Sequence, residues 1–247
     1  MLSSMARARD RRRPVLVVEF AKEAQRRTFD RILPEQFLED RLRIDPLDLS
    51  GLADRVVPVP EQATHWAASL VASGGPPRAV LAYCSGAVFA EHLAAALPGD
   101  DTVLVVLDPA FPGPEDAEGL LSGFAAAMGA PNLPVPAIAG LPDQQALETA
   151  GAFLREALAC VAPDLDAVVA DELTADRRIW LSFVLSAARA RANAPRRPAH
   201  VVLSEGATPE AADFRSVHRM PESVTGLFAS ADVRDLLAGM LETVPSC

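Results

Sequence analysis

Val80-Leu-Ala-Tyr-Cys-Ser-Gly-Ala87 is the stretch of this 247-residue chain that decides its fold. A short apolar run changes there directly into a helical pattern, and small residues stand two positions before and two positions after Cys84. A sharp strand-to-helix turn strains its central residue and needs small flanking residues, because larger side chains would collide with the neighbouring strand and helix. The pattern therefore predicts a nucleophile elbow centred on Cys84.

Ser85 is the alternative centre of this turn. Continuing the pattern from Ser85 puts Phe89 where a small residue is required, and the strand ends one residue too early, so the spacing favours Cys84. The competing interpretation of Cys84 is an inert buried cysteine at a strand end. The fit of both small positions and the entry into a helix N-terminus argue for the elbow.

Short β-branched runs alternate with helical patterns over much of the chain, which predicts an α/β fold with a mostly parallel sheet and helices on both faces. The clearest helices are Ser85 to Leu97 and Ala231 to Val244. Five runs are predicted as strands: Pro14 to Phe20, Arg55 to Val59, Ala79 to Cys84, Thr102 to Asp108 and His200 to Ser204. A sixth strand is indicated around Ser216 and Val217.

The interval from Pro109 to Pro198 breaks this alternation. Its helical patterns are Ala117 to Met128, Gln144 to Val161 and Thr174 to Asn193. About ninety residues are too many for a single crossover connection, so they predict a helical lid inserted into the sheet domain. We divide the chain into a disordered basic segment (1–13), an α/β core (14–112 and 199–247) and the helical lid insert (113–198).

Composition and charge exclude several functional classes. Half of the residues are hydrophobic and the formal net charge is −10, which suits one substantial core and argues against nucleic acid as the main ligand. The spacing of Cys84, Cys160 and Cys247 predicts neither a disulfide framework nor a metal site. No apolar run approaches the ~20 residues of a membrane span. We expect a soluble cytoplasmic protein with no metal and no membrane association.

Ala82-Tyr-Cys-Ser-Gly-Ala87 resembles the Gly-Tyr-Ser-x-Gly-Gly elbow of the α/β-hydrolases that act as thioesterases in polyketide and nonribosomal peptide assembly lines. Cys84 stands where those enzymes usually have serine. The following helix, with Ala90, Glu91 and Leu93, also resembles the family's helix after the elbow. The resemblance covers residues 14–20, 55–108 and 199–244 and implies an α/β-hydrolase-like fold.

The resemblance also implies a triad in which a base and an acid serve the nucleophile. Asp108 ends the strand after the elbow, where assembly-line thioesterases often carry their acid. Glu205 and, more weakly, Asp213 are alternative acids. His218 follows the nucleophile and acid in the chain order of the fold, although the family's Gly-Asp-His-Phe context is absent. The implied triad is Cys84, Asp108 and His218.

The remaining histidines, His65, His92 and His200, are expected to be structural. The resemblance implies an oxyanion hole formed by the backbone N–H of Ser85 and one N–H from the loop after the first strand, at Phe20 or Ala21. The family's Pro-x-x-Gly-Gly loop is missing at that point in this sequence.

A cysteine nucleophile keeps the acyl group activated as a thioester. Cys84 therefore suits acyl transfer or ring closure, and the chain resembles stand-alone Cys-His-Asp cyclases that form tetramate or pyridone rings by Dieckmann condensation. In that scheme an acyl or peptidyl carrier protein delivers the acyl chain on its phosphopantetheine, and no other cofactor is expected. The alternatives are a hydrolytic thioesterase that edits carrier-protein or acyl-CoA thioesters, and a non-enzymatic binding module that has kept the fold.

An acidic carrier protein would need a local basic surface for docking. The best candidate lies towards the end of the insert, and a solvated helix face is an equally good interpretation of the same residues. The arginines are Arg177, Arg178, Arg189, Arg191, Arg196 and Arg197.

Overall fold

The computed structural model describes residues 13–20, 28–193, 195, 197–208 and 214–243. These residues form one six-stranded sheet with the strand order β2-β1-β3-β4-β5-β6, and every neighbouring pair is parallel. The predicted parallel sheet is therefore confirmed. Its strands are β1 (Val15–Val18), β2 (Arg41–Ile44), β3 (Ala79–Tyr83), β4 (Val103–Leu107), β5 (Ala199–Leu203) and β6 (Phe214–Arg219).

Helices cover both faces of this sheet, as the sequence predicts. Helices α2 to α6 pack on the face that contains Val80 and Val106, whereas α1, α7 and α8 pack on the opposite face, around Leu81 and Leu107. The helices are α1 (Glu35–Leu38), α2 (Val59–Gly74), α3 (Gly86–Ala96), α4 (Pro114–Ala127), α5 (Asp143–Val161), α6 (Ala167–Ala190), α7 (Val224–Leu227) and α8 (Ala231–Glu242); short 3-10 helices span Phe29–Arg31, Pro46–Asp48 and Arg191–Asn193.

The prediction of a strand at Arg55 to Val59 is wrong. This segment is irregular until Val59 begins α2, with Pro60 in the first helical turn. Proline cannot donate a ladder hydrogen bond, whereas it is well tolerated at the start of a helix. The sheet instead gains the edge strand β2, whose sequence Arg-Leu-Arg-Ile has no continuous apolar run because most of it is exposed.

The insert helices, which we define as α4, α5 and α6, lie between β4 and β5 in the chain. Helix α6 starts at Ala167, seven positions before the predicted Thr174, because the Asp166 side chain caps it by accepting a hydrogen bond from the Val168 N–H. The apolar residues Val168 and Leu173 are exposed in the first turns of α6, so the apolar positions there do not follow the spacing of a buried helix face. Among the described helices, none combines the length and apolar character needed to span a membrane.

Candidate active site

Cys84 lies in the turn between β3 and α3, and its backbone is left-handed, with φ of 52°. Its N–H donates to the Leu107 carbonyl oxygen at 3.1 Å, and its own carbonyl accepts from the Ala87 N–H at 3.0 Å. A residue with a Cβ is strained at such a φ. Ser85 has ordinary helical angles at the start of α3. The strained centre of the turn is therefore Cys84, as an elbow requires.

Gly86 shows why this turn needs small residues. A Cβ at Gly86 would lie 3.5 Å from Val18 Cγ1 and 3.6 Å from a ring carbon of Phe20. These contacts join the start of α3 to the end of β1. A side chain longer than alanine at this position would push α3 away from the strand that carries Phe20.

Asp108 ends β4 beside Cys84 and shares its backbone conformation, with φ of 38°. Its Oδ1 accepts a hydrogen bond from the Ser204 N–H at 2.7 Å, whereas Oδ2 is buried and has no hydrogen-bond partner among the described residues. A buried carboxylate oxygen without a donor is costly. Asp108 thus lies next to Cys84 at the carboxyl edge of the sheet, as predicted. Its Oδ2 is able to accept a further hydrogen bond.

His218 lies within β6 rather than in a loop after it, in register with Val202 of β5. Three inter-strand spacings separate its strand from that of Cys84, about 14 Å across the sheet. Its Nε2 is 2.7 Å from the hydroxyl of Ser216, which precedes it in β6. The strands run towards the Cys84 edge, so this bond turns the imidazole away from that edge. This arrangement does not support His218 as the base that Asp108 orients.

The other histidines also lie outside the Cys84 turn. His200 Nδ1 is 2.7 Å from the same Ser216 hydroxyl, and burial, Arg215 and His218 lower the pKa of His200. His92 is buried in α3, where burial lowers its pKa against the effect of a hydrogen bond to the Ala190 backbone. His65 lies on α2 beside Trp66. The expectation that these three are structural fits their surroundings.

The alternative acids are less well placed than Asp108. Glu205 is exposed, and its N–H donates to the Glu222 carbonyl oxygen at 2.8 Å, which ties together the turns after β5 and β6. Asp213 lies outside the described residues.

A cavity of about 90 Å³ opens beside Cys84. Helix α6 contributes Trp180 to its wall, and the ring of Trp180 packs edge-on against Phe20 with 4.7 Å between centroids. The two predicted oxyanion positions Ser85 and Phe20 lie at this cavity, whereas Ala21 lies outside the described residues. The described lining residues are Val18, Glu19, Phe20, Phe29, Tyr83, Cys84, Ser85 and Trp180.

Glu19 brings a carboxylate to the same cavity, and its side chain is only 3% exposed. Its Oε1 accepts hydrogen bonds from the Phe29 N–H at 2.6 Å and the Thr28 hydroxyl at 3.1 Å. Its Oε2 lies 3.3 Å from Nε of Arg43 on β2. The Arg43 guanidinium partly offsets the cost of burying this charge.

Sequence reasoning missed both Glu19 and Trp180. A charged residue directly after the apolar run Val15–Val18 was the available signal for Glu19, because ligands of parallel sheets bind beyond the carboxyl ends of the strands. Trp180 gave no such signal, since its approach to Phe20 depends on how the insert packs over the sheet. Among the described residues, no group of three or more His, Cys, Asp or Glu is placed to hold a metal ion.

Several arginines of the predicted basic patch are bound within the chain. Arg189 pairs with Asp143 and donates to the Leu141 carbonyl, and Arg191 donates to the Phe111 carbonyl at 3.2 Å. Arg197 donates hydrogen bonds to the Ala94 and Gly99 carbonyl oxygens, and Arg177 donates to the Leu173 carbonyl oxygen of its own helix. Arg178 is half-buried, and Arg196 lies outside the described residues. These contacts engage several of the guanidinium groups that the sequence offers to a partner within the chain itself.

Solved structures with this architecture belong to α/β-hydrolases. One of them is a protein of Desulfitobacterium hafniense that is assigned to the α/β-hydrolase family. It aligns with this chain at 17% identity over 94% of this chain and 97% of its own length, with a TM-score of 0.56. A hydrolase from Oleispira antarctica aligns at 14% identity over 93% and 90%, with a TM-score of 0.55. At these identities the likeness establishes that this chain has the α/β-hydrolase fold, and no particular activity.

A thioesterase from the prodiginine biosynthetic pathway of Streptomyces coelicolor aligns more weakly. The identity is 18% over 94% of this chain and 90% of that one, with a TM-score of 0.45, and this likeness carries no functional argument. No family model and no curated protein sequence matches the chain.

Proposed function

We propose that this protein is a thioesterase-like acyl-transfer enzyme that uses Cys84 as its nucleophile. The observation that carries the proposal is the strained backbone of Cys84 at a strand-to-helix elbow, beside a cavity and next to Asp108. Such strain persists where the surrounding structure imposes it, and it is concentrated at functional sites. A hydrolase elbow presents its nucleophile at the carboxyl edge of the sheet in this way.

In the first step, the Cys84 sulfur attacks the carbonyl carbon of an acyl thioester that a carrier protein presents on its phosphopantetheine. The bond from that carbon to the pantetheine sulfur breaks. The departing thiolate takes up a proton in exchange for the one that Cys84 loses. The backbone N–H of Ser85 at the α3 N-terminus is the proposed donor to the oxyanion of this step.

In the second step, the acyl group leaves by intramolecular cyclisation. The carbon between two carbonyl groups loses a proton, the carbanion attacks the thioester carbon, the bond from that carbon to the Cys84 sulfur breaks, and the departing Cys84 thiolate takes up a proton in exchange for the one that the carbon lost. Carbon–carbon closure of this Dieckmann type gives a tetramate or pyridone and regenerates the Cys84 thiol.

The size of the cavity favours a second candidate, hydrolytic editing of short acyl groups on carrier proteins or coenzyme A. Ligand pockets of drug-sized molecules enclose roughly 300–1,000 Å³, whereas the cavity beside Cys84 has about 90 Å³. A short acyl group fits this volume without displacing Trp180. The product distinguishes the two candidates, because hydrolysis releases a free acid and cyclisation releases a ring.

The test uses an acyl-N-acetylcysteamine thioester that carries a β-ketoamide. Intact-protein mass spectrometry follows the adduct, and liquid chromatography identifies the product. The wild type and Cys160→Ala, which removes an exposed cysteine, are expected to form an acyl adduct and a cyclic product, and Cys84→Ala neither. A free acid would establish the editing candidate. No adduct on Cys84 with this thioester or with acetyl-N-acetylcysteamine would overturn acyl transfer and leave a non-enzymatic binding module.

A further inference from the structure

We infer that Glu19 makes the Cys84 cavity selective for acyl groups that carry a cationic amine. This inference rests on the proposed acylation of Cys84 and specifies the substrate class of the hydrolytic candidate, because a small aminoacyl group has no carbon between two carbonyl groups that could close a ring. It depends on a buried carboxylate in the wall of a cavity that otherwise has mainly apolar side chains.

The hydrogen bonds of Glu19 leave room for one more donor. A carboxylate offers about four acceptor positions. Oε1 accepts from the Phe29 N–H and the Thr28 hydroxyl, and Oε2 faces Arg43 at 3.3 Å. Among the described residues, partners thus face three positions, and the remaining one is on Oε2. An ammonium group in the cavity would supply that donor.

The electrostatics of the cavity favour the same kind of ligand. Arg43 is 40% exposed, so water screens its charge, whereas the Glu19 carboxylate is almost fully buried. A cation that enters the cavity is therefore attracted by the carboxylate more strongly than it is repelled by the guanidinium. Phe20, Phe29 and Trp180 add aromatic side chains to the wall, and a charge-assisted hydrogen bond is stronger beside such apolar groups than in bulk water.

The volume limits the size of the group. An apolar cavity of about 150 Å³ accommodates benzene, which has six heavy atoms. By the same proportion, the cavity of about 90 Å³ accommodates roughly four heavy atoms. Alanyl stays within this limit when its carbonyl carbon is bonded to Cys84, because only three of its heavy atoms lie beyond the carbonyl group.

The experiment compares alanyl, propionyl and lactyl thioesters of N-acetylcysteamine, which have similar sizes and differ in one substituent. Single-turnover rates of Cys84 acylation are measured by intact-protein mass spectrometry. Each rate is divided by the rate of the same thioester with glutathione, because an α-ammonium group also activates a thioester chemically. The wild type is expected to prefer alanyl over propionyl by about tenfold or more, as a hydrogen bond to a charged group provides. Lactyl, which has a hydroxyl and no charge, should behave like propionyl.

Glu19→Gln is the main variant, because glutamine keeps an oxygen for Phe29 and Thr28 and removes the charge. In this variant, the corrected acylation rates with the alanyl and propionyl thioesters are expected to differ by less than twofold. Arg43→Gln, which keeps the carboxylate, should preserve or increase the preference. A wild-type ratio near one, lactyl reacting like alanyl, or an unchanged ratio in Glu19→Gln would overturn the inference. The wild-type comparison needs no variant, so it decides even if Glu19→Gln does not fold. Acylation of Cys84 by the β-ketoamide thioester but by none of these three would overturn the inference and leave the proposed function standing, whereas acylation by none of the four thioesters would contradict the proposed function.

Discussion

Cys84 and Asp108 directly follow two neighbouring parallel strands, and both have left-handed backbones. The residues before them, Tyr83 and Leu107, are register partners in β3 and β4, and the Cys84 N–H donates to the Leu107 carbonyl oxygen. Two strained residues with side chains at one point of the sheet edge are costly, since each such conformation costs about 1–3 kcal/mol. The sheet therefore holds Cys84 and Asp108 at adjacent backbone positions against the local preferences of both residues.

The strain at Cys84 predicts a gain in stability when the nucleophile is lost. Cys84→Gly removes the penalty of a Cβ at φ of 52°, whereas Cys84→Ala keeps it. The glycine variant is expected to be more stable than the alanine variant by about 1 kcal/mol, and neither should form an acyl adduct. Urea unfolding and intact-protein mass spectrometry measure the two properties. Equal stability of the two variants would show that the surrounding structure does not strain this residue.

Local sequence patterns predict that Cys84 and Asp108 lie at the carboxyl edge of the sheet, and their catalytic roles stay predictions. Each follows a short buried strand, and the carboxyl ends of neighbouring parallel strands lie at one edge of a sheet. Both features depend on residues close in sequence. The edge strand β2 was missed for the same reason, because exposed arginines interrupt its apolar pattern.

The position of His218 could not be predicted in this way. Chain order shows that it follows the acid, but it does not show whether it ends a strand or lies inside one. The structure includes it in β6, and Ser216 holds its ring. The surroundings of Glu19 were equally inaccessible, since its partner Arg43 comes from the strand that the sequence pattern did not reveal.

The placement of His218 predicts that Cys84 acylation tolerates its loss. General-base catalysis contributes roughly 10²–10⁴-fold to a rate, whereas a histidine that bonds Ser216 within β6 should contribute little to chemistry at Cys84. His218→Asn is therefore expected to change the acylation rate less than threefold, and Ser216→Ala is the matched control for the hydrogen bond. Quenched single-turnover assays measure the acylation rates of both variants. A loss of a hundredfold in His218→Asn alone would restore the base role expected from the sequence.

Glu91 predicts a stability that falls as the pH rises. This α3 residue is 8% exposed, and burial raises its pKa from 4.5 to about 7. Between these values the unfolded chain loses the proton and the folded protein keeps it, so unfolding is favoured increasingly as the pH rises. Above pH 7 the accumulated loss is about 2–3 kcal/mol. Below pH 4.5 both states hold the proton and the loss disappears.

Glu91→Gln stays neutral and should lack this contribution. Urea unfolding at pH 5 and pH 8 is expected to show a larger loss of stability in the wild type than in Glu91→Gln. Other groups titrate in both proteins, so the difference between the two proteins is the informative quantity. If that difference is the same at both pH values, Glu91 is already ionised in the folded protein at pH 5.

Trp180 predicts the maximum size of the acyl group at Cys84. Its ring lines the cavity, packs edge-on against Phe20 at 4.7 Å and stacks on Phe183 at 5.9 Å, so it forms the contribution of α6 to the cavity wall. Trp180→Ala removes this wall and should let longer chains reach Cys84. Acylation by acetyl thioester should stay within about threefold of the wild type, whereas acylation by hexanoyl and octanoyl thioesters should rise at least tenfold, a difference of about 1.4 kcal/mol.

Trp66→Ala is the matched control for Trp180→Ala. Trp66 is also half-buried against the core, but it lies on α2 and is not among the described residues that line the cavity. Loss of either indole should destabilise the fold by up to about 3 kcal/mol, and thermal unfolding monitors this shared effect. Only Trp180→Ala should shift the chain-length profile, because among the described residues the ring of Trp180, and not that of Trp66, lines the cavity beside Cys84. If both variants show the same chain-length profile, the insert does not limit the size of the acyl group. Longer chains bound to Cys84 would then extend through another side of the cavity.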